Sequence, residues 1–182
     1  MSGAQCLATE CRSLFNMKVG LSLGSNLGDR LAQLQSAKVY LGGLASQPWL
    51  LASAIYETAP IDCPPGSAAF LNAVVEIEFS GSPRTLLQQI LAYEAAQGRD
   101  RSAGPNAPRT IDIDILYFGD TIVADPDLTI PHPRLAVRRF VLVPLLTICP
   151  DRIVAGLGRT VRALGQELPD RCGEVRFVQQ DW

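Results

Sequence analysis

Arg109-Thr-Ile-Asp-Ile-Asp-Ile-Leu116 sets Asp112 and Asp114 two residues apart inside an apolar, β-branched run. Read as a strand, the run sends Ile111, Ile113 and Ile115 to one face and both carboxylates to the other, with the acids ~7 Å apart at the usual strand rise. Like charges on one face of a buried strand raise the cost of ionising one another unless a cation or a basic partner compensates. The spacing suits one or two hard cations. It suits equally a half-exposed strand whose outer face carries two acids, and spacing alone leaves both readings open.

Outward from this strand, Arg99 to Arg109 is a basic loop with two prolines and a glycine, too irregular for a helix or strand. Before it, Ser82-Pro83 supplies an N-cap and a first-turn proline for a helix carrying Leu86, Leu87, Ile90 and Leu91 and stopping at Gly98. Leu71 to Phe79 alternates apolar residues with Asn72, Val74, Glu76 and Glu78, the period of a half-buried strand. Ala59 to Ser67, with three prolines, is a surface loop, and Trp49 to Tyr56 is a strand. Lys18 to Leu23 reads as the first strand, followed by a turn at Gly24–Asp29. A helix comes next, with Leu31, Leu34, Val39 and Leu41 as its stripe and Gly42-Gly43 as its end.

Downstream of the Asp strand, Gly119-Asp120 predicts a hairpin into Thr121 to Ala124. Arg138-Arg139-Phe140 precedes an apolar helix-like run interrupted by Pro144, and Glu174 to Gln179 is a weak final strand. The order β-α-β-β-α-β with additions predicts an α+β, ferredoxin-like antiparallel sheet. Its helices would lie on one face, leaving the other for a site or an added helix.

The 182 residues suit one domain, and a 47% hydrophobic content argues against disorder. No stretch approaches a membrane span, and the start lacks the pattern of a signal sequence, so a cytoplasmic protein is expected. Residues 1–16 are expected to be a disordered extension, or residues ahead of a true start at Met17, with a single domain over 17–182. The five cysteines are odd in number and scattered, without zinc-site spacing, and read as reduced thiols. A net charge of −2 excludes broad attraction to nucleic acid.

The Asp pair shares its stretch of chain with Arg99, Arg101 and Arg109, while His132, Arg134, Arg138 and Arg139 follow. Carboxylates among many cations point to a phosphate and metal site. Magnesium takes one or two protein carboxylates plus substrate phosphate oxygens, and arginine forks balance the remaining charge. Transfer of a phosphoryl-type group is mostly positioning and charge stabilisation, so no serine or cysteine nucleophile is required. Any one arginine is better explained by pairing with surface acids; Arg99 and Arg109 together favour phosphate contact. His132, alone between two prolines, reads first as structural. Gly24 to Gly28 lacks the spacing and lysine of a P-loop and reads as a tight turn, and Phe70 and Phe140, taken singly, as core aromatics. The residues alone lead to a magnesium-dependent enzyme acting on a phosphorylated substrate.

Taken in order, Leu23-Gly24-Ser25-Asn26-Leu27-Gly28, Tyr56-Glu57-Thr58-Ala59-Pro60, Phe70-Leu71-Asn72-Ala73, Gly98-Arg99, Pro108 to Ile115 and Ile130-Pro131-His132-Pro133 resemble the 6-hydroxymethyl-7,8-dihydropterin pyrophosphokinase family, from about Val19 to Asp151. The resemblance implies a ferredoxin-like core and transfer of the β,γ-diphosphate of ATP to the pterin hydroxymethyl oxygen, releasing AMP in folate biosynthesis. It implies that Asp112 and Asp114 hold two Mg2+ ions, and that Arg99 and Arg109 stabilise the transferring group, with Asp114 able to assist deprotonation. Arg101, Ile115, Thr129, His132 and Arg138 match ATP-contacting positions. Phe70 and Phe140 would sandwich the pterin, Asn72 would bond its edge, and the backbone from Thr58 and Ala59 to Ile61 would complete the pocket.

The chain departs from the family pattern at Pro105, Asn106, Ala107 and Pro133. With both aspartates and both principal arginines present, activity is expected, in a monomer with ATP and the pterin as its partners and neither nucleic acid nor membrane. A non-catalytic pterin- or nucleotide-binding relative is the competing reading. An RNA-binding module on the same topology is the weaker third, because the strands lack clustered exposed aromatics.

Overall fold

The residues described in the computed structural model are 16–48, 50–60, 63–100, 102, 104, 107–168 and 173–182. The chain runs β1 (Met17–Ser25), α1 (Arg30–Leu44), β2 (Leu50–Ala52), β3 (Ile55–Thr58), β4 (Phe70–Phe79), α2 (Pro83–Ala96) and β5 (Asp112–Phe118). After these come β6 (Val123–Asp125), β7 (Leu128–Ile130), a 3-10 turn at Leu135–Val137, α3 (Arg139–Ile148), β8 (Ile153–Val154), β9 (Arg159–Thr160), α4 (Val161–Gln166) and β10 (Val175–Gln179). One antiparallel sheet has the order β10-β3-β4-β1-β5, with β2 also on β4. Within it β1-α1-β3-β4-α2-β5, ordered β3-β4-β1-β5, is the expected ferredoxin-like core. No described helix is long and apolar enough to cross a membrane.

α1 and α2 cover one face. Leu34, Ala37 and Leu41 of α1 and Leu86 and Ile90 of α2 pack against Val19, Leu21, Leu23, Val75, Ile77, Ile113 and Ile115. Val39, assigned to the apolar stripe from sequence, is 77% exposed. It lies about 140° around the helix from Leu34 at 100° per residue, and Ala37 takes the inward place. The helix also runs through Gly42-Gly43 to Leu44 instead of ending there. Glycine weakens a helix interior by ~1 kcal/mol, but buried Leu41 and the packed Leu44 hold this last turn. At the start of α2, Ser82 Oγ accepts from Thr85 N as expected.

The opposite face is covered by α3 and α4, where Val141, Leu142, Leu145, Val161 and Leu164 pack on Val74, Leu116 and Tyr117. β4 is therefore buried on both faces, not half-buried as its alternation suggests. Glu76 is drawn inside with it, accepting hydrogen bonds from Tyr117 Oη at 2.5 Å and Arg152 Nη2 at 3.2 Å. The Tyr117 ring occupies the space a side chain would take at Gly20 on the neighbouring strand.

Two other elements differ from expectation. The stretch read as one strand up to Tyr56 is broken between β2 and β3. Ser53 N donates to Val74 O at 2.9 Å while Ser53 Oγ, in place of its carbonyl, accepts from Val74 N at 3.0 Å. The displaced carbonyl accepts the Trp182 indole N–H at 2.7 Å. Trp49 lies outside the described residues. After β5, the chain turns at Gly119 (φ 51°) but β6 pairs with β7, not with β5. The flank of β5 away from β1 is met instead by the segment after β7, where His132 N donates to Leu116 O at 2.9 Å.

Candidate active site

β5 alternates as read: Ile113 and Ile115 are buried toward α1 and α2, while Asp112 and Asp114 stay partly open on the other face. In register with them on β1 are Gly24 and Ser22. α3 covers the far part of that face, so the carboxylates stand at its uncovered end, between the loop leaving α2 and the start of α3.

Each carboxylate meets its own set of cations. Arg99 Nη1 lies 2.6 Å from Asp112 Oδ1 and also donates to Ile111 O at 3.1 Å. Arg109 Nε lies 3.3 Å from Asp112 Oδ2, but this buried N–H is not aligned for a hydrogen bond, so the contact is an ion pair only. Arg138 Nη1 donates to Asp114 Oδ2 at 3.0 Å, and His132 Nε2 stands 3.7 Å from the same oxygen. His132 Nδ1 accepts from Arg134 N at 3.0 Å, which puts the proton of the neutral ring on Nε2 facing Asp114. The 3.4 Å approach of Arg138 Nη1 to Nε2 then joins two donors and is not a hydrogen bond. Burial holds the imidazole below its ordinary pKa; Arg138 and Arg134 add to this, against the pull of Asp114.

The aromatic pair lies against the same arginines. The Arg109 guanidinium stands 5.0 Å from the Phe70 ring centroid, and that of Arg138 stands 5.3 Å from Phe140. Asn72 Nδ2 donates to Thr58 Oγ1 at 2.8 Å across buried β3 and β4. A methyl group at Gly24 would stand 3.4 Å from Asn72 Oδ1 and 3.8 Å from Phe70 Cδ1, so glycine keeps the space between them clear. The Phe70 ring and the Asn72 amide beside this glycine offer an aromatic face and a polar group of the kind that a flat heterocycle with polar edges requires.

The structure thus brings together Asp112, Arg99, Arg109 and Phe70, then Asp114, Arg138, His132 and Phe140, then Asn72 and Thr58. Thr129 is exposed on β7 opposite Ala124, and Ala59 is exposed after β3. The Ile115 side chain belongs to the core, which leaves only its backbone to face a nucleotide. Arg101, Ile61, Pro105 and Asn106 lie outside the described residues.

Two supporting residues escaped the sequence reading. Buried Glu94 accepts from Ile113 N at 2.8 Å through Oε1 and has Oε2 3.7 Å from Arg99 Nε, tying α2 to the Asp strand and its arginine. Its signal was available: an acid four residues after Ile90 and eight after Leu86 lies on the buried stripe of the helix. Asn26, in the turn before α1, accepts from Arg109 N at 2.8 Å through Oδ1 and donates its own N–H to Arg109 O at 3.1 Å.

Among the described residues no group of three or more His, Cys, Asp or Glu side chains converges to hold a metal unaided. Two oxygen-donor carboxylates on one strand face fit magnesium, which binds one or two carboxylates and takes its remaining ligands from water and phosphate.

A family model described as 7,8-dihydro-6-hydroxymethylpterin-pyrophosphokinase (HPPK) matches residues 20–150. The 2-amino-4-hydroxy-6-hydroxymethyldihydropteridine pyrophosphokinase of Methylorubrum extorquens is 41% identical over 142 residues, 78% of this chain and 87% of that protein. The protein of the same name from Bacillus subtilis is 41% identical over 129 residues, 71% of this chain and 76% of its own. Folic acid synthesis protein fol1 of Schizosaccharomyces pombe is 40% identical over 73% of this chain, which spans 18% of that longer protein. Among solved structures, a Plasmodium falciparum HPPK-DHPS triple mutant superposes with a TM-score of 0.66 at 18% identity, over 86% of this chain and 45% of that one, a likeness of fold. The family match and these relatives show that the chain belongs to the 7,8-dihydro-6-hydroxymethylpterin-pyrophosphokinase family of folate biosynthesis.

Proposed function

We propose that the protein transfers the β,γ-diphosphate of ATP to the hydroxymethyl oxygen of 6-hydroxymethyl-7,8-dihydropterin, giving AMP and the pterin diphosphate. The observation that carries this reading is the Asp112–Asp114 face with Arg99 at 2.6 Å from one carboxylate and Arg138 at 3.0 Å from the other. Asp112 and Asp114 would hold two Mg2+ ions, which when bound supply positive charge to the phosphate oxygens. Arg99 and Arg109, which pair with Asp112, would balance the charge of the transferring diphosphate and the leaving phosphate. Arg138, His132, Arg101, Thr129 and the backbone of Ile115 hold the nucleotide.

On the acceptor side Phe70 and Phe140 stack on the pterin, while Asn72, Thr58 and the backbone through Ala59 and Ile61 meet its edge. The pterin hydroxymethyl oxygen forms a bond to the β-phosphorus as the bond from that phosphorus to the α,β-bridging oxygen breaks. AMP leaves with that oxygen, and the hydroxyl proton departs with help from Asp114. In-line approach and charge stabilisation supply most of the rate.

The direct test is incubation with ATP, magnesium and the hydroxymethyl dihydropterin, followed by separation of nucleotides. AMP and pterin diphosphate in equal amounts are expected, and ADP as the nucleotide product excludes the reaction.

A further inference from the structure

Arg30, the first residue of α1, has no part in the chemistry above, yet its side chain reaches the acceptor side. Its Nη1 donates to Ala69 O at 2.7 Å and to Glu57 Oε2 at 3.3 Å. Ala69 immediately precedes Phe70, and Glu57 immediately precedes Thr58. Thr58 and Phe70 are themselves partners in the β3–β4 ladder. One guanidinium from the helix start therefore grips both strands where the two acceptor-side residues emerge. Glu57 is in turn held by Arg176 of β10, whose Nη2 donates to Oε1 at 2.5 Å.

We infer that Arg30 is a positioning residue for the pterin, acting through Ala69 and Glu57 to fix Phe70 and Thr58. The inference rests on the reading of Phe70, Thr58 and Asn72 as the acceptor pocket. Arginine suits this place because its charge is permanent and its planar group can serve a carbonyl and a carboxylate together. Lysine keeps the charge and has donors for both, but on a shorter, flexible stem without the fixed planar fork. The hydrogen bond from Arg176, with smaller help from Arg30, keeps the Glu57 carboxyl below its ordinary pKa, so the anchor stays ionised at neutral pH. The nearest contacts of Arg30 are thus on the acceptor side and not with Asp112 or Asp114, which predicts an effect on one substrate only.

The experiment is steady-state AMP release by Arg30→Gln, Arg30→Lys, Glu57→Gln and Phe70→Ala, and by Arg30→Gln combined with Phe70→Ala. Arg30→Gln is expected to raise KM for the hydroxymethyl dihydropterin ~10-fold, with KM for ATP changed less than ~2-fold, since small misplacements of positioning groups cost this much or more. Arg30→Lys should recover part of the loss. In the Phe70→Ala background, Arg30→Gln should add less than ~2-fold, because the two act as a unit. An unchanged pterin KM, an equal rise in both KM values, or full additivity with Phe70→Ala overturns the inference. If Arg30→Gln folds poorly, Glu57→Gln reads the same split between substrates. A Phe70→Ala enzyme with unchanged pterin KM overturns the pocket reading instead, and the inference with it.

Discussion

Glu94 Oε1 accepts the backbone N–H of Ile113 at 2.8 Å, so a side chain of α2 holds the one residue that separates Asp112 from Asp114. Its other oxygen faces Arg99 Nε at 3.7 Å, with Glu94 1% exposed and Arg99 13% exposed. A carboxyl group at such a depth needs polar partners on both oxygens, and here they include the Asp strand and the arginine beside it.

Glu94→Ala should therefore act on both stability and catalysis. Removing the carboxylate leaves the Ile113 amide without its acceptor and Arg99 without one of its anchors, a loss of about 3 kcal/mol in urea unfolding. Glu94→Gln keeps an acceptor for Ile113 and should lose about 1 kcal/mol, with turnover falling through the freed Arg99. Equal stability of Glu94→Ala and the parent protein would refute this account of α2.

Asp112→Asn tests the cation assignment. The amide preserves shape but offers neither the charge that Arg99 and Arg109 pair with nor a strong oxygen ligand for magnesium. Turnover is expected to fall ~100-fold or more, the scale seen when one preorganised electrostatic group is lost. The quantity to follow is the initial rate of AMP release at saturating ATP and magnesium. Turnover near that of the parent would remove Asp112 from the metal site.

Gly24→Ala separates pocket shape from fold. The methyl group would lie in ordinary contact with Asn72 Oδ1 and Phe70 Cδ1 rather than in collision with backbone. Stability should stay within ~0.5 kcal/mol, while KM for the pterin rises by about 10-fold and KM for ATP does not. Parallel measurement of thermal midpoint and both KM values decides it; a large fall in midpoint with unchanged KM would show that Gly24 serves packing alone.

How much of this could be read in the chain differs by the range of the interaction. The Asp112–Asp114 face and the Ser82 cap are local: strand alternation and one side-chain hydrogen bond fix them, and both stand in the structure as read. Glu76 and Val39 were misplaced for different reasons. Alternation shows that two faces differ, but the added layer of α3 and α4 that buries Glu76 comes from residues more than sixty positions downstream. Val39 yielded its inward place to Ala37 because the helix phase, not residue hydrophobicity, decides which side chains meet the sheet. The pairing of β6 was also a matter of competition: the residues after β7 meet the flank of β5 that the expected hairpin would have used. At the site, residue types marked Asp112, Asp114, Arg99 and Arg109, whereas Glu94, Asn26 and Arg30 act through backbone atoms far along the chain, and no short motif encodes those distances.

The Glu76 cluster gives the last prediction, an alkaline loss of stability that one substitution should reduce. Tyr117 Oη donates to Glu76 Oε2 and stands 3.4 Å from Cys149 Sγ, inside the layer between the sheet and α3. Burial above all, then the neighbouring Cys149 and Glu76, drives the phenol pKa far above its ordinary value, so the folded protein keeps this proton. In the unfolded chain the same phenol ionises near pH ~10. Above that pH the unfolded state binds fewer protons than the folded state, so the Tyr117 contribution to folding free energy falls with rising pH, by up to about 1.4 kcal/mol per unit. Below it the contribution is fully present. Tyr117→Phe should cost about 1 kcal/mol at pH 8, where the hydrogen bond to Glu76 is lost. The gap to the parent should close as pH passes 10, because the phenylalanine variant lacks that titration. Urea unfolding of both proteins from pH 8 to 11 measures the two slopes, and parallel slopes above pH 10 would show that Tyr117 is not held neutral by this cluster.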